Sequence, residues 1–222
     1  MVEFVSDSFT EASDTTLASH SPETGGAWDR IYGGTNECIV AGGLGYVSGA
    51  NTSNLSPYVN VATPPSADYQ VRGLLASADN TSNGDVPQLY ARSPGWVDGG
   101  TLNGYFVRYV GNATSANRAW QLGKAVNNVT TLLGTFPQNI TLNQQYDVKL
   151  VVQGSDLEAF VDGVSRITAS DSSLTAAGYA GLGCRANGRI YSFVADTISG
   201  GETVVGAGLT RSLKLNRLRL VA

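Results

Sequence analysis

Short hydrophobic or alternating segments, interrupted by Gly, Asn, Asp and Pro, follow one another along the whole chain. Such a pattern is typical of many short β-strands joined by turns. No segment shows the helical period of about 3.6 residues, and residues 172–177 allow at most one short helical turn. Strands are predicted at residues 3–9, 37–41, 57–61, 69–75, 88–91, 104–110, 118–124, 129–135, 145–153, 156–161, 164–169, 178–184 and 189–196.

The clearest local signal is the pair Asp162-Gly163, which lies between the alternating segments 157–161 and 164–167. Asp-Gly in this position favours a two-residue hairpin turn in which both residues have positive φ. The preceding segment, 146–152, also alternates and ends at Gly154-Ser155. We therefore predict a three-stranded antiparallel meander over residues 145–169, within an all-β sandwich or barrel.

Composition and charge narrow the possible partners. Charged residues are 14% of the chain, the formal net charge is −4 and the pI is about 4.9. An acidic chain is a poor partner for nucleic acid, so no nucleic-acid binding is expected. No apolar run approaches the roughly 18 residues of a membrane span. No basic region followed by an apolar region occurs near Met1, so no signal peptide is predicted.

The two cysteines, Cys38 and Cys184, are too few for a zinc site. They are compatible either with one long-range disulfide or with two buried thiols, because Cys packs as a small apolar residue.

Several segments together indicate a family. Residues 7–10 and 17–28, then 89–92, 104–105, 146–163, 178–182 and 190–195, resemble in order and spacing the concanavalin A-like (laminin G-like) jelly-roll domains of bacteria and phages. The resemblance covers about residues 4–198. It implies an antiparallel two-sheet jelly-roll sandwich over residues 1–198, with the first strand near the last. The composition shifts after Ile198, and we interpret residues 199–222 as a C-terminal extension to which the resemblance does not apply. Relatives include lectins, glycosidases, adhesion modules and virion structural proteins, so the fold alone does not determine the function.

Catalytic residues are not predicted. Glycosidases of this fold class use two facing carboxylates, usually in the pattern Glu-x-Asp-x-x-Glu, and this pattern is absent. Asp156 and Glu158 share one strand face but lie beside a hairpin, as expected for a solvated surface. His20 is the only histidine, and the resemblance places it in an N-terminal loop where we expect local hydrogen bonds. We therefore predict that the protein is not an enzyme.

A glycan-binding site is predicted in the loop 93–103. Lectin-like sites combine an exposed aromatic ring with Asp and Asn groups, and Trp96, Asp98 and Asn103 offer this combination. Alternatively, Trp96 folds back over the edge of the sandwich. Trp28 is expected to anchor the N-terminal loop, and Trp120 to lie in the core or on a sheet.

No cofactor is predicted, with the exception of a calcium ion, which laminin G-like domains often hold. Asp79, Asp85 and Asp98 lie in predicted loops, but the sequence contains no calcium-binding motif and the ligands stay unassigned.

Leucine alternates with basic residues in the C-terminal extension, and no aromatic residue lies between them. This pattern favours addition of a strand to a neighbouring subunit, and hence a homo-oligomer; the alternative is that the segment packs on its own sheet. The residues concerned are Arg211, Leu213, Leu215, Arg217, Leu218 and Arg219.

These observations favour a non-enzymatic structural, decoration or surface-display module of a virion (phage particle) or an extracellular surface. Its expected partners are other virion or surface proteins, polysaccharide, or both. The alternatives are a free-standing carbohydrate-binding module and a glycoside hydrolase-like enzyme, which needs two close carboxylates in a groove.

Overall fold

The computed structural model describes residues 1–31, 37–49, 55–79, 86–94 and 101–198. These residues form two sheets and two short 3-10 turns, Leu17–Ser19 and Ser115–Asn117. The nine-stranded sheet contains β1 (Glu3–Asp7), β2 (Thr15–Thr16), β4 (Cys38–Val40), β5 (Val47–Gly49), β7 (Tyr69–Ser77), β12 (Tyr146–Gln153), β13 (Asp156–Val161), β14 (Val164–Ser170) and β16 (Gly188–Thr197). The seven-stranded sheet contains β3 (Trp28–Arg30), β6 (Ser56–Asn60), β8 (Val86–Ser93), β9 (Gly104–Val110), β10 (Ala119–Val126), β11 (Val129–Pro137) and β15 (Tyr179–Arg185).

Neighbouring strands are antiparallel in both sheets. The nine-stranded sheet has the order β14-β13-β12-β7-β16-β5-β4-β2, and β1 pairs with another part of β16. The seven-stranded sheet has the order β11-β10-β9-β8-β15-β6-β3. The predicted two-sheet antiparallel sandwich is therefore confirmed, as is the pairing of the first strand with the last.

The hydrophobic core lies between the two sheets and follows from the alternation along each strand. On β12, for example, Val148, Leu150 and Val152 are fully buried, and the residues between them face outward. Aromatic side chains fill the largest part of this core. Those that are fully buried within it include Trp28, Tyr58, Tyr69, Tyr105, Tyr109, Trp120 and Phe193.

The predicted meander is present as β12, β13 and β14. Its Asp162-Gly163 turn has φ values of 51° and 72°, the left-handed conformation that a two-residue hairpin of this type requires. The Asp162 carboxylate also accepts a hydrogen bond from the main-chain N–H of Asp147 at 2.9 Å.

Three strands of two or three residues, β2, β3 and β5, are absent from the prediction because they are too short to show a period. Residues 172–177 contain no helical turn. In the described residues, no helix has the length and hydropathy needed to cross a membrane.

The two cysteines are buried free thiols, which decides between the two alternatives. Cys38 donates to the carbonyl of Ser56 at 3.3 Å, and Cys184 donates to the carbonyl of Val47 at 3.7 Å.

Candidate functional site

Three polar side chains form a row across the outer face of the seven-stranded sheet. Gln88 on β8 lies directly opposite Arg108 on β9, and Arg108 lies opposite Gln121 on β10. The residues next to them, such as Leu89 and Val107, point into the core, so the polar row points away from it. Arg108 Nε donates a hydrogen bond to Gln121 Oε1 at 2.9 Å. We call Gln88, Arg108 and Gln121 the polar row.

Two aromatic rings lie beside the polar row. Tyr90 on β8 is opposite Phe106 on β9, and their ring centroids are 6.4 Å apart at an interplanar angle of 69°. Glycines leave the space that these rings occupy. A Cβ atom on Gly183 would lie 3.2 Å from the Tyr90 ring, and one on Gly123 would lie 2.5 Å from the Phe106 ring. The aromatic pair therefore depends on glycine in both neighbouring strands.

Burial divides this face into a covered part and an open part. Gln88, Tyr90 and Phe106 are at most 1% exposed although none of them belongs to the core cluster, whereas Arg108 and Gln121 are partly exposed. Burial raises the pKa of Tyr90 far above its usual value, so its hydroxyl is neutral. Among the described residues, no hydrogen-bond partner is found for the buried atoms Gln88 Oε1 and Tyr90 Oη. Such atoms carry a free-energy cost.

Carboxylates are almost absent from this sheet. Within its described strands the single Asp or Glu is Asp29, on the exposed edge strand β3. Hydrolysis of a glycosidic bond by the usual mechanism needs two carboxyl groups on either side of that bond. The strands of this face can therefore bind a polar ligand but do not supply such a pair.

A depression of about 660 Å³ lies on the outer face of the nine-stranded sheet. It contains one ion pair, in which Arg72 Nη2 lies 2.6 Å from Asp147 Oδ2, and Lys149 Nζ lies 4.3 Å from the centroid of the Phe160 ring. Because Arg72 and Lys149 already have these contacts, this depression is a weaker candidate than the polar row.

His20 takes part in a buried cluster in the N-terminal loop. Its Nε2 lies 2.9 Å from Asp7 Oδ1 and its Nδ1 lies 2.7 Å from Glu11 Oε1. Burial by itself lowers the pKa of His20, but the hydrogen bonds to Glu11 and Asp7 outweigh burial and raise that pKa above its usual value. Trp28 Nε1 donates to the other Asp7 oxygen at 2.7 Å. The predicted local hydrogen bonding of His20 and the anchoring role of Trp28 agree with these contacts.

The predicted glycan-site residues are only partly described. Trp96 and Asp98 lie outside the described residues, as do the tail residues from Arg211 to Arg219. Asn103 immediately precedes β9, and its Oδ1 accepts a hydrogen bond from the main-chain N–H of Asn127 at 2.8 Å. The Asn103 side chain therefore supports the turn between β10 and β11.

The polar row and the aromatic pair were not singled out in the sequence. Their signal is present in the alternation of β8, β9 and β10, where Gln88, Tyr90, Arg108 and Gln121 occupy the outward positions. Alternation alone does not show which strands are neighbours, so it could not bring these residues together.

The described part of the chain contains no set of side chains that would bind the expected calcium ion. No three His, Cys, Asp or Glu side chains are grouped there as a metal site requires. Of the three loop aspartates, Asp85 and Asp98 lie outside the described residues. Calcium binding stays a prediction.

No protein-family model matches this sequence, and no curated protein matches it either. Solved structures do match. The carbohydrate-binding module CBM66 from Bacillus subtilis superposes with a TM-score of 0.55 and 19% identity over 77% of this chain and 92% of that chain. The chain therefore has a jelly-roll fold, similar to that of these solved structures.

Two further jelly rolls are similar to a comparable degree. The exoplasmic/lumenal domain of VIP36, in a Ca²⁺/Man3GlcNAc-bound form, has a TM-score of 0.58 and 13% identity over 79% of this chain and 85% of that domain. A β-glucanase from Bacillus licheniformis has a TM-score of 0.53 and 13% identity over 84% of this chain and 99% of the enzyme. At these identities the similarity shows the fold alone, and the fold is shared by carbohydrate-binding, lectin-like and glucanase proteins.

Proposed function

We propose that this jelly roll is a non-enzymatic glycan-binding module, and that it binds through the outer face of its seven-stranded sheet. The observation that carries the proposal is the polar row of Gln88, Arg108 and Gln121 beside the rings of Tyr90 and Phe106.

The chemistry of this face suits a sugar. Carboxamide and guanidinium groups exchange hydrogen bonds with hydroxyl groups. Gln121 and Arg108 form the open part of the site.

We favour binding over hydrolysis because the described strands of the seven-stranded sheet carry too few carboxylates for hydrolysis. The β-glucanase neighbour shares the fold, so the fold permits both functions. However, the described strands of the seven-stranded sheet carry only Asp29, at the edge, and therefore lack a facing pair of carboxylates.

The test is binding to a panel of soluble polysaccharides in affinity gel electrophoresis, with two matched variants. Gln121→Ala removes an amide from the polar row, and Gln153→Ala removes a half-buried amide from β12 in the other sheet. We expect Gln121→Ala to weaken binding about tenfold, as for the loss of one or two hydrogen bonds, and Gln153→Ala to leave it unchanged. Equal binding by all three proteins contradicts the assigned face, and no binding to any glycan contradicts the function.

Trp96→Ala tests the contribution of the predicted loop in the same assay. Weaker binding by this variant would extend the site to the loop 93–103, and unchanged binding would remove Trp96 from it.

A further inference from the structure

Arg108 is a partly buried cation with no anionic partner among the described residues. Its contacts are Gln121 Oε1, which engages Nε, and the Phe106 ring, whose centroid lies 4.9 Å from Cζ. No Asp or Glu of the described residues forms an ion pair with it. Both terminal nitrogens of the guanidinium, Nη1 and Nη2, are therefore uncommitted.

Two other basic side chains in the same sheet form ion pairs. Arg92 Nη2 lies 3.0 Å from Asp68 Oδ1, and Lys124 Nζ lies 2.5 Å from Asp171 Oδ2. Burial lowers the pKa of Arg108, and the charge of Arg185 lowers it further. The centre of this face is thus a local positive region in a chain whose net charge is −4. A partly buried cation without a counter-charge is unfavourable, and an anionic ligand group removes this cost.

We propose that the ligand is an acidic glycan whose anionic group binds the terminal nitrogens of Arg108. The two N–H groups of a guanidinium fork match the two oxygens of a carboxylate and also fit a sulfate ester. The hydrogen bond from Nε to Gln121 holds the fork in place, and the partly exposed Gln121 amide is suited to a neighbouring hydroxyl. This inference rests on the proposed glycan binding and specifies its substrate class.

The decisive experiment compares one polymer in two charge states. Binding of the full chain to polygalacturonate is measured by titration calorimetry beside binding to the same polymer after reduction of its carboxyl groups to alcohols. We expect the reduced polymer to bind at least about tenfold more weakly, and binding of the acidic polymer to fall between 50 and 500 mM NaCl. Dextran sulfate against dextran distinguishes a sulfate from a carboxylate as the preferred anion.

Two substitutions test the residue. Arg108→Gln removes the charge from the polar row, and Arg72→Gln makes the same change on the opposite sheet. We expect the first to lose about tenfold or more in affinity for the acidic polymer and the second to retain the wild-type affinity. Thermal unfolding of both variants reports whether they are folded. If Arg108→Gln does not fold, Arg108→Lys keeps the charge without the fork and is expected to bind more weakly than wild type.

The outcomes separate the two proposals. Equal affinity for the acidic and the reduced polymer, or full binding by folded Arg108→Gln, overturns the acidic-glycan inference and leaves glycan binding intact. Absence of binding to acidic and neutral polymers alike overturns both.

Discussion

The hydroxyl of Tyr69 accepts a hydrogen bond from the main-chain N–H of Arg92 and so joins β7 of one sheet to β8 of the other. The same hydroxyl contacts the carbonyl of Gly178 at 2.8 Å. The buried Arg92 side chain then extends across the end of the sandwich. Its guanidinium donates to the carbonyls of Ala67 and Gly154, both at 2.7 Å, and of Leu174 at 3.0 Å. One side chain thus fixes three loops.

Replacement of Arg92 is expected to be strongly destabilising. Arg92→Met keeps an unbranched apolar stem but leaves three carbonyls without their donor, which should lower the free energy of unfolding by about 3–5 kcal/mol. Urea denaturation measures the change. Arg166→Met is the control, because Arg166 is exposed on β14 and should cost less than about 1 kcal/mol. Similar losses for the two variants would contradict the role given to Arg92.

His20 should make stability depend on pH above neutrality. Asp7 and Glu11 face its two ring nitrogens and raise its pKa in the folded protein, whereas an unfolded histidine titrates near pH 6.5. The folded state then holds the proton to higher pH. Its stabilisation is complete below about pH 6.5 and is lost as pH rises from there through the folded pKa.

Urea midpoints between pH 6 and pH 9 measure this dependence, and His20→Gln is the control variant. The free energy of unfolding of the wild type should decline over this range, whereas the variant should show a smaller decline. Parallel curves for the two proteins would show that His20 does not carry the effect.

The two thiols should be protected in the folded protein. Cys38 and Cys184 are completely buried, and burial raises the pKa of Cys184 well above its usual value, so its reactive thiolate is scarce. A thiol-reactive dye should label neither residue in buffer within the time that it labels both in denaturant. The intact mass should be the same with and without reductant. A mass lower by two hydrogens without reductant would instead demonstrate a disulfide.

The role predicted for residues 199–222 is tested by solution mass. If the leucine and basic residues of this extension add a strand to a neighbour, light scattering of the full chain should give a defined oligomer. A chain that ends at Ile198 should then be a monomer. A monomer in both cases would remove the argument for assembly, and with it the argument for a virion or display role.

The sequence specifies most strands because each core strand of five or more residues shows alternation or an apolar run. It does not specify the functional face, because Gln88, Arg108 and Gln121 are separated by 20 and 13 positions in sequence and meet only through strand pairing. The composition of the loop 93–103 led to the prediction of Trp96 as a site residue instead. The role of Arg92 could not be predicted from the sequence either. Its φ of 54° accompanies an irregularity in the pairing of β8 with β15, which alternation along the chain does not reveal.

The pairing of β1 with β16 has a consequence for how this unit joins other polypeptides. The main-chain N–H of Thr197 donates to the carbonyl of Val2 at 3.0 Å, and the N–H of Val2 donates to Thr197 Oγ1 at 2.7 Å. The start and the end of the described sandwich, at Val2 and Thr197, are therefore adjacent. A sandwich of this kind can be spliced into a surface loop of a host protein, or circularly permuted through a short connecting peptide, without separating its sheets.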